Sequence, residues 1–121
     1  VRFYFHFAII SLVEGKEWIL MSEIEIITTE ELMQKLEQGE KLELVDVRED
    51  EEVAEGMVPG AKHIKMGDIP ANLDYFTKDK EYIFICRSGR RSENVCYYLN
   101  EQGFKVRNLV GGMLEWTGET K

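Results

Sequence analysis

Cys86 heads the segment Cys86-Arg87-Ser88-Gly89-Arg90-Arg91-Ser92, so one thiol is followed within five residues by three guanidinium groups. A thiolate is a strong nucleophile, and its population grows beside fixed positive charge or at a helix N-terminus. The flanking residues supply both. "EYIFIC" reads as a strand that ends on Cys86, and a helix starts near Arg91 or Ser92. Its first turn presents unbonded amides and the positive end of the helix dipole. Gly89 can adopt the backbone angles that curl successive N–H groups into an anion cradle, and Arg87, Arg90 and Arg91 stand around it. The pattern is that of a nucleophilic Cys86 in a pocket for an anion. A merely buried cysteine beside solvated arginines would need neither the glycine nor the helix start.

The other residues able to do chemistry read more plainly. Val95, Cys96 and Leu99 form an apolar stripe at helical spacing, which makes Cys96 a core filler. Ten residues apart on a strand end and a helix, Cys86 and Cys96 are poorly placed for a disulfide. The two histidines, His6 and His63, lie in unrelated segments and complete no zinc set. No metal or organic cofactor is implied, and two free thiols suit a reducing compartment, the cytoplasm by default. Asp46 and Arg48 close a strand and could face the pocket, but such a pair at a strand-to-loop junction reads first as an internal salt bridge. The helix opened by Ser92 gives that serine a capping role, with a hydrogen bond to the sulfur as the alternative.

The elements that must hold this loop alternate in type. A short strand near Ile24 to Ile27 precedes Thr28 and Glu31, a capping box, and a helix carrying Leu32, Met33 and Leu36 that stops near Gly39. A strand over about Leu42 to Val47 delivers Asp46 and Arg48. There follow a short acidic helix, a turn at Pro59-Gly60, a brief strand around His63 to Met66, and a short helix from about Pro70. After the cysteine loop and its helix, "KVRNLV" is a further strand and "GGMLEW" begins the last helix. Strands alternating with helices define an α/β fold with a mainly parallel central sheet, and "YIFIC" is apolar enough to be central in it. In such sheets ligands bind beyond the carboxyl ends of the strands, where Cys86 sits.

The chain has 121 residues, 44% of them hydrophobic, which suits one domain with a real core. Its formal net charge of −8 argues against a nucleic-acid partner. The apolar part of the first twenty residues, Phe3 to Val13, is too short to span a membrane. It could be a signal peptide, but His6 interrupts it and no small-residue cleavage site follows. Codons for Gly15-Lys16-Glu17 can spell a purine-rich ribosome-binding sequence shortly before Met21. Residues 1–20 are therefore expected to be a non-native or disordered extension, with Val1 a misassigned GTG start, and residues 21–121 the domain.

Four motifs in order resemble the rhodanese family of sulfurtransferases across about Ile26 to Gly118. They are "LVDVRE", "EEVAEGMVPGAKHI", "CRSGRRS" and "LVGGMLEW". The resemblance implies a three-layer fold with helices on both faces of the sheet. It implies a Cys86 persulfide that takes sulfur from a small sulfur-containing anion such as thiosulfate or polysulfide and yields it to cyanide, a thiol or a protein acceptor. Arg87, Ser88, Gly89, Arg90, Arg91 and Ser92 would form the active-site loop, with Asp46 and Arg48 in support. Gly111-Gly112 would let the last helix pack closely and Trp116 would fill core. One departure is that Met57-Val58 stand where the family has His-Ile, and His63 is not assigned that histidine's place. A redox-sensing or partner-binding module of the same fold is the alternative. Related phosphatases and arsenate reductases need five residues between Cys and Arg, whereas here the sixth position after Cys86 is Ser92.

Overall fold

A computed structural model describes residues 24–121 in full and the backbone of residues 3–5, 10–13 and 17–20. The strands are β1 (Phe3–Phe5), β2 (Ile10–Val13), β3 (Glu17–Leu20), β4 (Ile24–Ile27), β5 (Glu43–Asp46), β6 (Lys62–His63), β7 (Glu81–Ile85) and β8 (Lys105–Leu109). The α-helices are α1 (Thr29–Glu37), α2 (Asp50–Val53), α3 (Arg90–Glu101) and α4 (Gly112–Glu115), with 3-10 turns at Met66–Asp68 and Pro70–Tyr75. The expectation of a non-native or disordered extension over residues 1–20 falls in part outside the described residues. β2 and β3 there pair with each other.

The main sheet runs β1-β4-β8-β7-β5-β6. β4, β8, β7, β5 and β6 are mutually parallel, and β1 adds antiparallel to β4. Side chains alternate across a strand, and β7 shows the consequence. Tyr82, Phe84 and Cys86 join one buried cluster with Val95, Cys96 and Leu99 of α3. Ile83 and Ile85 join the other, with Leu32 of α1, Leu109 and the partly buried Trp116. Apolar on both faces, β7 has to lie centrally between helical layers. This is the expected three-layer α/β fold, and Cys96 and Trp116 occupy the core positions expected of them.

Local signals govern the helix ends. The Thr28 hydroxyl accepts from the Glu31 amide at 3.1 Å and the Glu31 carboxylate accepts from the Thr28 amide at 3.2 Å, so the capping box opens α1 as expected. Three boundaries differ from the sequence reading. The sixth strand is Lys62–His63 rather than His63 to Met66, because the chain leaves the sheet edge into the turn at Met66–Asp68. The segment from Pro70 is a 3-10 turn rather than an α-helix, with Asn72 off helical angles. The helix after the cysteine starts at Arg90, since Gly89, at φ 98°, caps it. Among the described residues, no helix is long and apolar enough to cross a membrane.

Candidate active site

The site lies at the carboxyl end of β7, where the chain turns through residues 86–89 into α3. Cys86 is fully buried. Its Sγ accepts from the Gly89 amide at 3.0 Å, and Gly89 itself, left-handed at φ 98°, turns the chain into α3. The Ser92 hydroxyl lies 3.2 Å from Sγ and donates to Asn108 Oδ1 of β8 at 2.6 Å. Asn108 Nδ2 in turn donates to the Gly89 carbonyl at 2.9 Å. Ser92 thus works from inside the first turn of α3, against both the sulfur and the neighbouring strand.

The outer side of the loop is held by α4. The amides of Met113 and Leu114 donate to the carbonyls of Cys86 and Arg87, both at 2.9 Å. Gly112 has φ 55°, and a Cβ there would collide with those same two carbonyl oxygens. The glycine pair does give close packing, and what it packs against is the cysteine loop itself. A cleft of about 440 Å³ opens beside the loop, lined by Ser88, Gly89, Arg90, Glu93, Asn94 and Asn108 among others.

The three arginines separate. Arg87 and Arg90 are exposed. Arg91 is half-buried and grips Glu52 of α2 with two parallel bonds, Nη1 to Oε1 at 2.8 Å and Nη2 to Oε2 at 2.7 Å. Hydrogen bonding to Arg91 holds the Glu52 carboxyl down to about 2, and Glu52 in return raises Arg91. Asp46 and Arg48 are buried and form the internal salt bridge, with Arg48 Nε and Nη2 donating to the Asp46 carboxylate at 2.9–3.1 Å. Arg48 also donates to the carbonyls of Glu52 and Gly56, at 3.3 and 2.7 Å. Asp46 and Arg48 thereby fix α2, and α2 carries Glu52 to Arg91. His63 stays apart from the thiol, its Nε2 bonded to the Arg48 carbonyl at 2.7 Å. Met57 pairs through its backbone with Lys121. Burial pushes the Cys96 thiol well up, in keeping with a core role.

Two participants were not picked out from sequence. Glu52 is 39 residues from its arginine and looks like one acid among several in an acidic helix. Asn108 sits 16 residues from Ser92. Its one signal is that a buried strand of the type "KVRNLV" carries an amide whose partners must lie in the core. Among the described residues, no group of three or more His, Cys, Asp or Glu side chains could hold a metal ion.

A buried thiol at the mouth of a central parallel strand, bonded by a curled loop and followed at once by a helix, defines a cysteine-loop α/β domain. The profile of the rhodanese-like domain family matches residues 28–119. A Bacillus subtilis protein named "Putative sulfurtransferase YtwF" is 64% identical over 99 residues, covering 82% of this chain and 96% of that protein. A protein named "Sulfurtransferase" from Allochromatium vinosum is 42% identical over 91 residues, covering 74% of this chain and 85% of that protein. The crystal structure of a rhodanese-like domain protein from Staphylococcus aureus superposes with a TM-score of 0.75 at 44% identity, covering 78% of this chain and 94% of that one. The chain belongs to the rhodanese-like domain family.

Proposed function

We propose that the protein is a rhodanese-type sulfurtransferase that works through a persulfide on Cys86. The observation that carries this reading is the hydrogen bond from the Gly89 amide to the Cys86 sulfur, made in a loop between a strand end and the N-terminus of α3. Both features favour negative charge on sulfur. The thiolate attacks the outer sulfur of a donor such as thiosulfate. The new Cys86 S–S bond forms as the donor's S–S bond breaks, and its electron pair leaves with sulfite. A nucleophile then attacks the outer sulfur and the pair of the broken bond returns to Cys86 as thiolate. The acceptor is cyanide in the test tube and a thiol, free or on a protein, in the cell.

Arg87 and Arg90 are the residues assigned to the donor's oxyanion end, since both are exposed beside the loop while Arg91 is committed to Glu52. Ser88 lines the cleft with Arg90 and is assigned to its rim. Asp46 and Arg48 support the loop indirectly, by fixing α2 and with it Glu52. The same commitment of Arg91 argues against phosphatase chemistry, which needs a free guanidinium at the end of the loop to clamp a tetrahedral oxyanion.

Intact-mass measurement after incubation with thiosulfate or polysulfide tests the reading. One added sulfur is expected on the native chain and on Cys96→Ala, none on Cys86→Ala, and cyanide should discharge it. If the native chain gains no sulfur while peroxide readily oxidises Cys86, the protein is a redox-sensing module instead.

A further inference from the structure

Cys86, Gly89, Ser92 and Asn108 close a ring of hydrogen bonds. The Gly89 amide reaches Sγ, Asn108 Nδ2 reaches the Gly89 carbonyl, and Ser92 Oγ lies between Asn108 Oδ1 and Sγ. Ser92 and Asn108 are both buried, so each depends on its partners within the ring. Asn108 cannot flip, because its oxygen would then face the Gly89 carbonyl oxygen. Ser92 has a single hydroxyl proton. It can serve Asn108 Oδ1 or the sulfur, and the 2.6 Å contact to Asn108 is the shorter of the two.

We propose that Asn108 is a positioning residue for the Cys86 nucleophile: by accepting the only Ser92 proton it keeps that proton off the sulfur. A neutral thiol is then fully satisfied, donating S–H to Ser92 Oγ. A thiolate is left with the Gly89 amide and is sparsely bonded, which makes it a stronger nucleophile, since intrinsic thiolate reactivity falls as the charge is stabilised. The proposal rests on Cys86 being the nucleophile of the sulfur-transfer reading, but not on any particular donor.

The test is the pH dependence of Cys86 alkylation by iodoacetamide in Cys96→Ala chains, which requires no sulfur chemistry. The charged and titratable groups of the elements packed around the cysteine loop include Arg87 of the loop, Arg90, Arg91 and Glu93 of α3, Glu52 of α2, Glu115 of α4, Asp46 at the end of β5 and Arg48 just after it. All are common to the variants compared. In Asn108→Ala the freed Ser92 proton turns to the sulfur. The half-maximal pH of alkylation is expected to fall by about one unit and the plateau rate at high pH by about threefold. Ser92→Ala should not raise the half-maximal pH, because it removes an acceptor of the thiol proton rather than a donor to the sulfur. In a Ser92→Ala background the further change Asn108→Ala should move neither the half-maximal pH nor the plateau rate. If Asn108 only braced the loop, its loss would move the half-maximal pH upward, with or without Ser92, and the proposal would be wrong. Should Asn108→Ala fail to fold, Ser92→Ala alone decides, because a rise in its half-maximal pH would mean that the proton already sits on the sulfur. Normal alkylation shifts with no sulfur loading would overturn the sulfurtransferase reading and leave the role of Asn108 standing.

Discussion

Arg91 and Arg87 differ in what surrounds them, although five residues of sequence hold both. Arg91 is bound through two short contacts to a carboxylate 39 residues away, whereas Arg87 projects from the loop. Arg87→Ala should therefore raise the KM for thiosulfate loading of Cys86 about tenfold, the loss of one charge-assisted bond, with little change in stability. Glu52→Gln should do the reverse. The Glu52 carboxyl is depressed from 4.5 to about 2 in the fold, so its stabilisation is present above pH 4.5 and disappears as pH falls through about 2. Urea unfolding should show the variant weaker by about 1 kcal/mol at pH 7, with the two chains converging toward pH 2. A difference that persists unchanged at pH 2 would mean that Glu52 acts through packing. Cys86 was legible because its loop, glycine and helix start are consecutive in sequence. Glu52 and Asn108 were not, because what marks them is the folding of distant strands onto that loop.

At the scale of elements, the loop is placed by the starts of two helices. α3 runs away from the thiol, while the start of α4 holds the Cys86 and Arg87 carbonyls from the other side. Gly112 is the point of closest approach, at φ 55° with backbone oxygens where a Cβ would go. Gly112→Ala has no flexible side chain to displace and adds a left-handed strain of about 1–2 kcal/mol. It is expected to lower the thermal midpoint by several degrees and, unlike Glu52→Gln, to slow iodoacetamide at Cys86 by distorting the loop. A midpoint and alkylation rate equal to wild type would show that the loop does not depend on α4. Elements with local punctuation were legible in sequence, as Thr28 and Glu31 show for α1. The errors came where tertiary geometry decides. β6 is two residues long because it forms the sheet edge, a fact absent from the string His63 to Met66. The segment from Pro70 kinks at Asn72, so the proline marked a helical start without foretelling its type.

For the whole molecule, the reading that residues 21–121 are the functional domain implies that a chain starting at Met21 still loads sulfur on Cys86. The family match at residues 28–119 lies inside that span. Removing the first twenty residues leaves the net charge unchanged, because Arg2 and Lys16 balance Glu14 and Glu17. Either chain thus presents the same conflict to an anionic donor: a formal charge of −8 overall and two exposed arginines beside the thiol. The two act at different ranges. At about 0.01 M salt the Debye length is roughly 30 Å and a donor anion meets the field of the entire acidic domain. At about 0.15 M it is roughly 8 Å, so distant carboxylates are screened while arginines at contact still act. At about 1 M, with roughly 3 Å, the arginines are screened as well. The second-order rate of thiosulfate loading is therefore expected to rise from low to intermediate salt and then fall, with sodium chloride varied and thiosulfate far below saturation. In Arg87→Ala the later fall should shrink and the early rise remain. A rate that only decreases with salt would show that Arg87 and Arg90 dominate at every distance, and one that only increases would remove them from donor binding.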